Sequence, residues 1–259
     1  GKVRLKDWTA HLDSLQLQGY SGSIESQGQI DLSRGSGEAQ LLANGLDLNP
    51  LLKTWTDAVP QLATRAGANV DLYFDNWQLD QNKTKGELRL NTVQESGLSL
   101  SGKATLGLDK GKLSLRSDRL QILQGYCSLQ GNLNTKGIDT DYELSLSATD
   151  LLKILNAFQL NLPPLNLEGP LSASGKLAGN YKDLAATASI RADDLQYYSE
   201  KMDLIADLEW GQNALRVQSA SFNSGPGNLE IHGTIPLGKT TSEWDLSADM
   251  ASFDLSGFL

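Results

Sequence analysis

Apolar residues occupy every second position in short runs along most of this chain, and glycine, asparagine, aspartate or lysine separates the runs. A period of two places apolar side chains on one face of a β-strand and polar side chains on the other. The runs recur every 8 to 12 residues or so, as hairpin connections require. The pattern predicts an all-β chain with a few short helices, built on a long antiparallel sheet with one dry and one wet face.

The residues expected to form the dry wall are leucines and one isoleucine of these alternating runs. They are Leu88, Leu90, Leu98, Leu100, Leu106, Leu108, Leu113, Leu115, Leu144, Leu146, Leu165, Leu167, Leu204, Leu208, Leu229, Ile231 and Leu246. Because glycine within strands permits bulges and sharp bends, we expect the sheet to curl over this wall.

Two segments depart from the period of two and predict short amphipathic helices. In residues 49–62, Asn49 suits the N-cap and Pro50 the first helical position. In residues 149–158, Leu151, Leu155 and Phe158 share one helical face. Both helices are expected to lie between strands, where they could cover the sheet edge, plug a groove or join units.

The two helices also reveal an internal repeat of about 100 residues. A Gly-x5-Gly segment precedes each helix, at Gly22–Gly28 and Gly125–Gly131, and a third copy stands at Gly227–Gly233. We therefore expect one continuous β segment over 1–259, with repeat units of roughly 1–66, 67–168 and 169–259. The alternation is already under way at the first residues, so we expect the chain to be a piece of a longer protein.

The apolar surface is built almost wholly from leucine, with 47 Leu against 5 Val. Tightly packed β cores use stiff, branched side chains, whereas leucine is longer and more adaptable. The leucine face therefore has two possible fates. It is either sealed as the core of a solenoid or sandwich, or left open as a trough for apolar ligands.

Charge and the scarcity of reactive side chains exclude several classes of function. The net charge of −9 and the lack of a Lys/Arg cluster disfavour nucleic-acid binding. A single cysteine and two distant histidines support neither a disulfide framework nor a zinc or Ser/His/Asp centre. We expect no enzyme activity, no cofactor and no metal. The sequence contains no run of 18 apolar residues, so it predicts no membrane-spanning helix.

The chain resembles the AsmA-like/TamB family through these same features. The similarity is carried by the Gly-x5-Gly segments, the interposed helices at 48–55 and 148–155, and the stretch from Gly169 to Leu237. It covers nearly the whole chain, as a pattern rather than an invariant signature. The N-terminal membrane helix that anchors most members is not found in this sequence.

The resemblance implies a U-shaped β-groove, a section of a periplasmic bridge that carries phospholipids from the inner to the outer membrane of a diderm bacterium. The wall leucines would then contact acyl chains, and the full-length protein would be anchored in the inner membrane. Partner proteins in both membranes and support of outer-membrane integrity are further expectations. The alternative is a structural β-solenoid scaffold that aids outer-membrane protein assembly or adhesion. A β-helix enzyme with scattered carboxylates is a third hypothesis.

Overall fold

The computed structural model describes residues 1–53, 60–80, 82–94, 96–109, 112–134, 136–157, 166–180, 183–198, 200–211, 214–236 and 244–252. Within these residues the chain forms eighteen strands and two short helices, which confirms the predicted all-β class. Strand pairing is antiparallel at each described register, as the alternating pattern predicted.

The chain divides into two compact units. Unit 1 comprises Gly1–Gln121 with Gln130–Asn134, and unit 2 comprises Ile122–Leu129 with Thr135–Leu259. Each unit consists of antiparallel strands that follow one another along the chain, with one helix in each. The repeat boundaries expected from the sequence stay predictions, because compactness does not test sequence periodicity.

The elements of unit 1 begin at the first residues of the chain. They are β1 (Lys2–Lys6), β2 (Thr9–Gly19), β3 (Gly22–Asp31), β4 (Ser36–Asp47), α1 (Leu48–Lys53), β5 (Thr64–Asp75), β6 (Gln78–Leu79), β7 (Lys85–Thr92), β8 (Leu100–Asp109) and most of β9 (Lys112–Ile122). From β1 to β5 each strand pairs with the next, and β5 then pairs with both β6 and β7.

The unit boundary runs through β10 (Gly125–Leu133). The other elements of unit 2 are β11 (Gly137–Ser147), α2 (Ala148–Ala157), β12 (Leu167–Glu168), β13 (Pro170–Asn180), β14 (Asp183–Tyr197), β15 (Glu200–Gly211), β16 (Ala214–Ser224), β17 (Gly227–Pro236) and β18 (Asp245–Ala251). Strand β11 pairs with β13, and β13 to β18 then pair in sequence order.

Register shifts interrupt several of these strands without reversing their faces. In β14 the register shifts between Ala192 and Leu195, and in β16 it shifts between Val217 and Ala220. At each point the bulged strand has one extra residue. Because of it, the next apolar side chain lies on the apolar face again, whereas strict alternation would place it on the polar face. The bulges therefore keep one face of each sheet apolar.

The first predicted helix is shorter than expected and is capped differently. Helix α1 spans Leu48–Lys53, residues 54–59 lie outside the described part of the chain, and Leu62 forms a β-bridge with Leu98. The prediction of helix up to residue 62 was therefore wrong at Leu62. The predicted N-cap, Asn49, was also wrong. Asp47 is the N-cap, because its carboxylate accepts a hydrogen bond from the Asn49 N–H group at 2.9 Å.

Asn49 instead ties the start of α1 to the chain beyond it. Its side-chain amide donates to the Leu62 carbonyl at 2.8 Å, and its side-chain oxygen accepts the Leu62 N–H bond at 2.7 Å. An asparagine amide has one donor group and one acceptor, so it can pair with both backbone groups of one residue. This pairing fixes Leu62 and so helps place the first residues of β5.

The second helix agrees with its prediction within one residue at each end. Helix α2 spans Ala148–Ala157, and Phe158, predicted on its apolar face, lies outside the described residues. Ser147 is the N-cap, with its hydroxyl accepting the Asp150 N–H bond at 3.1 Å. The Asp150 carboxylate is buried and pairs with the Lys153 ammonium at 3.0 Å.

Candidate functional site: the apolar sheet faces

Two cross-strand rows define the apolar face of unit 1, since directly paired residues point to the same side of a sheet. The first row is Leu15, Ser26, Leu41, Val70, Gly86 and Leu106, and the second is Leu17, Ile24, Ala43, Ala68, Leu88 and Ala104. Each row crosses six strands without a charged residue. Apart from Ser26, unit 1 therefore carries a continuous apolar stripe perpendicular to its strands.

The opposite face of unit 1 is polar. One row there is Gln16, Glu25, Leu42, Asn69, Glu87 and Thr105. Glu87 pairs with Arg89 on its own strand and with Lys103 on β8, and these two cations help hold the pKa of its carboxyl below the usual range, with the Arg89 hydrogen bond the largest cause. Leu42 is the apolar exception in this row.

Unit 2 has the same two-sided construction over seven strands. One apolar row is Leu144, Ala173, Ile190, Ala206, Ala220, Ile231 and Ala248, and the next is Tyr142, Gly175, Ala188, Leu208, Val217, Gly233 and Leu246. A row on the other face reads Glu143, Ser174, Ser189, Asp207 and Ser219. Along these rows of unit 2, the charged side chains lie only on the polar face.

Several large side chains of the apolar face in unit 2 stay in partial contact with solvent. Ile190, Leu208 and Ile231 are half-buried, whereas Val217 and the small Ala206 and Ala220 are buried by their neighbours. A sealed sandwich would bury the large side chains as fully as the small ones. This part of the sheet therefore presents an apolar surface that a ligand can contact.

One end of the apolar face in unit 2 is covered by α2. Leu151 and Ile154 of the helix pack against a buried cluster of the sheet. Its buried members are Leu146, Ala148, Leu171, Ala173, Ala192, Leu195 and Met202. Helix α2 thus covers part of the apolar face itself at the ends of its strands, whereas the roles expected for the helices were to cover the sheet edge, plug a groove or join units.

The predicted wall residues fall into several environments. In unit 1, Leu88, Leu90, Leu100, Leu106 and Leu108 share the apolar face. Leu98 is buried in its bridge to Leu62, while Leu113 and Leu115 lie two residues apart in β9. Whether any of them contacts lipid stays a prediction.

In unit 2, the predicted residues Leu144, Leu204, Leu208, Leu229, Ile231 and Leu246 lie on the apolar face. Leu146 is buried in the cluster beneath α2, and Leu167 of β12 packs against that cluster. Leu165 lies outside the described residues. Contact of these side chains with lipid is likewise a prediction.

The prediction from leucine pairs missed much of the face. The apolar face of unit 1 also contains Leu41 and Val70, and that of unit 2 also contains Ile190 and Phe222. Many alanines and glycines lie beside them. Counting small residues as apolar would have extended several runs. The shifts at the bulges have no comparable signal in a single sequence.

Tyr142 spans a gap in the apolar face. Its hydroxyl donates to the Thr187 carbonyl at 2.8 Å, so its ring passes over Gly175 of the intervening strand. A Cβ at Gly175 would collide with that carbonyl and lie 2.9 Å from the Tyr142 oxygen. Burial raises the pKa of Tyr142, and it also raises the pKa of the nearby Cys127 thiol to about 11.

Neither a metal-binding cluster nor a membrane-spanning helix is found in the part of the chain that the structure describes. Its His, Cys, Asp and Glu side chains form no group of three that could hold a metal ion. Among the same residues, no helix has the length and apolar character needed to cross a membrane. The comparisons with known proteins find no family model, no curated protein and no solved structure that matches this chain.

Proposed function

We propose that this chain is a lipid-transfer segment that conducts phospholipids along its apolar sheet faces. The observation that carries the proposal is the set of apolar rows free of charged residues, which run across six strands in unit 1, with Ser26 as one polar member, and across seven strands in unit 2. Acyl chains would lie along these rows while the head group stays in water. Members of the AsmA-like/TamB family, which the sequence resembles, suggest the setting: a periplasmic bridge between inner and outer membranes that supports outer-membrane integrity.

The energetics of lipid transfer favour such a surface. Each methylene moved from water to an apolar environment gains about 0.8 kcal/mol, so a two-tailed lipid crosses water very slowly on its own. A row that offers similar apolar side chains strand after strand removes this barrier without a deep trap. The polar rows on the opposite face supply no competing apolar site.

The finer form of the proposal is a U-shaped groove made of repeats of about 100 residues. Equivalent glycines support the repeat. Gly22 is the first residue of β3, and Gly125 is the first residue of β10. A Cβ on Gly22 would overlap the backbone that precedes α1, and a Cβ on Gly125 would overlap the backbone that precedes α2. The contacts are 2.8 Å to the Leu46 nitrogen in unit 1 and 2.8 Å to the Leu146 Cα in unit 2.

A scaffold role is the second candidate, and the cluster beneath α2 favours it. Leu171 and Leu195 are almost fully buried there, as in a sealed core. A scaffold would need its apolar faces covered throughout. The half-buried side chains of β14 to β17 favour the conduit instead.

Lipid content separates the two candidates. The purified chain is extracted with organic solvent, and the extract is examined by mass spectrometry for phospholipid. The conduit predicts co-purified phospholipid and uptake of a labelled phospholipid by the stripped chain. A folded chain that neither carries nor takes up phospholipid would rule out the conduit for this segment.

Matched pairs of neighbouring residues test which face binds. Leu204→Arg alters the apolar face, while Ile205→Arg alters the polar face of the same strand. Leu41→Arg and Leu42→Arg form the equivalent pair in unit 1. The apolar-face variants should lose most lipid uptake and the polar-face variants should keep it. If an arginine unfolds the chain, a photo-crosslinking amino acid at position 208 or 205 makes the same comparison.

A further inference from the structure

Two exposed tryptophans mark one end of the strands in unit 1. Trp8 lies in the loop between β1 and β2, and Trp77 lies in the loop between β5 and β6. Trp8 is 72% exposed and Trp77 is 61% exposed. Because β1 to β6 are antiparallel neighbours, both loops lie at the same strand ends as the β3–β4 turn.

The backbone at both tryptophans is one that bulky residues rarely adopt. In each two-residue loop both φ angles are positive: 46° and 63° at Asp7 and Trp8, and 48° and 63° at Asn76 and Trp77. Positive φ at both central residues is the mark of the type I′ turn, whose preferred sequences are Asp-Gly and Asn-Gly. Each loop therefore has the preferred first residue but a tryptophan where glycine would be free of strain.

The β3–β4 turn holds the two tryptophan loops side by side. The Leu32 N–H group donates to the Trp8 carbonyl and the Trp77 N–H group donates to the Gly35 carbonyl, both at 2.8 Å. The Trp77 indole lies against Gly35, where any Cβ would overlap the ring. Trp8, residues 31–35 and Trp77 are here called the tryptophan rim.

The turn within the tryptophan rim is itself fixed by Asp31. Its carboxylate accepts the Ser33 and Arg34 N–H bonds at 2.9 and 3.1 Å, and the Ser33 hydroxyl at 2.6 Å. The Ser33 hydroxyl bond is the largest cause that lowers the pKa of Asp31. The exposed indoles are therefore presented by an ordered turn on a network of hydrogen bonds.

Charge on the segments that contain and flank the tryptophan rim differs from that of the whole chain. Residues 6–8, 31–35 and 75–85 contain four cations and four carboxylates. Four minus four gives zero, whereas the chain carries −9. The cations there, Lys6, Arg34, Lys83 and Lys85, are all exposed, as are Asp7 and Asp75, while Asp31 and Asp80 are half-buried and pair with Arg34 and Lys83. Phosphate groups are therefore repelled less here than the net charge of the whole chain would predict.

We propose that the tryptophan rim docks on the surface of a phospholipid bilayer. Indole rings favour the boundary between head groups and acyl chains, because their body is apolar and their N–H group is polar. Two exposed indoles on neighbouring loops fit a broad soft surface better than a single small ligand. The docking does not rest on lipid conduction by the sheet faces.

The test uses flotation of the whole chain with phosphatidylcholine vesicles. The variant Trp8→Gly/Trp77→Gly restores Asp-Gly and Asn-Gly turns, so its melting temperature should be unchanged or higher. Its vesicle affinity should fall at least 10-fold. Tyr20→Asn removes an exposed aromatic residue from a two-residue loop at the opposite strand ends and should leave the affinity unchanged.

Quenching by lipids brominated on their acyl chains supplies a second readout. It uses the wild-type chain, so it does not depend on whether a variant folds. The wild-type chain should lose part of its tryptophan emission on brominated vesicles. Absent vesicle binding, unchanged affinity in the double glycine variant, or binding of a soluble polysaccharide at the same residues would each overturn the proposal. So would a dimer that the double variant abolishes. Phospholipid co-purification should be equal in both proteins, which separates this test from that of the conduit.

Discussion

Glycine and tyrosine at neighbouring positions show how single residues shape the apolar face. Gly175 leaves room for the Tyr142 ring to reach the Thr187 carbonyl on the next strand but one. A strand glycine alone would leave a gap in the face and weaken the strand. Tyr142 fills that gap, and its polar end is satisfied within the sheet.

Cys127 gives a residue-scale prediction about pH. Burial raises the pKa of its thiol to about 11, so little thiolate forms at pH 8. We expect alkylation in the folded chain to be at least about 10-fold slower than in the urea-unfolded chain, and to rise toward pH 11. Rates measured by mass spectrometry across this range check the prediction.

The sign of the linkage follows from the same shift. The folded thiol binds its proton more tightly than the unfolded thiol, so its contribution to stability is complete below the unfolded pKa. That contribution is lost as the pH rises toward about 11. A native alkylation profile with its midpoint near 8.5, the usual thiol value, would contradict this assignment.

At the scale of elements, the two helices begin with different caps at equivalent places. Asp47 caps α1 and Ser147 caps α2, each accepting an N–H bond of the first helical turn. The sequence pattern predicts Asn49 as the first cap, because an asparagine followed by proline is a common start signal. The choice failed because Asn49 is used by a long-range pairing with Leu62.

Ser147→Ala is expected to lower the free energy of unfolding by about 1 kcal/mol, since it removes one cap acceptor. Urea denaturation followed by circular dichroism measures the change. Ser145→Ala, on the exposed polar face of the same strand, serves as the matched control and should be near neutral. Equal midpoints for the two variants would show that the Ser147 hydroxyl does not support α2.

At the scale of the whole molecule, bound phospholipid should stabilise the fold. A ligand that binds only the folded state adds about 2.7 kcal/mol at 100 times its dissociation constant. We therefore expect the lipid-stripped chain to melt several degrees lower than the lipid-bound chain. Scanning calorimetry before and after adding phosphatidylcholine measures this difference. Leu204→Arg should abolish the gain, whereas Ile205→Arg should retain it. An equal melting temperature with and without lipid would count against binding to the folded faces.

The alternation of apolar and polar residues by itself determined the all-β class, the antiparallel pairing and which side chains share a face. It did so because a strand has a period of two whatever it pairs with. The single cysteine and the two distant histidines likewise supported neither a metal centre nor a nucleophilic centre before any fold was known. Leu88 and Leu208 could thus be placed on apolar faces from sequence alone.

Only the tertiary structure decided which rows stay continuous, because bulges such as that between Val217 and Ala220 depend on the partner strand. It also decided that α2 covers Leu146 and Leu195, while Leu208 stays half-buried. Trp8 and Trp77 are 69 residues apart along the chain, and hydrogen bonds to one turn bring their loops together. Contacts between distant strands follow from pairing order and register, and local periodicity carries no record of either.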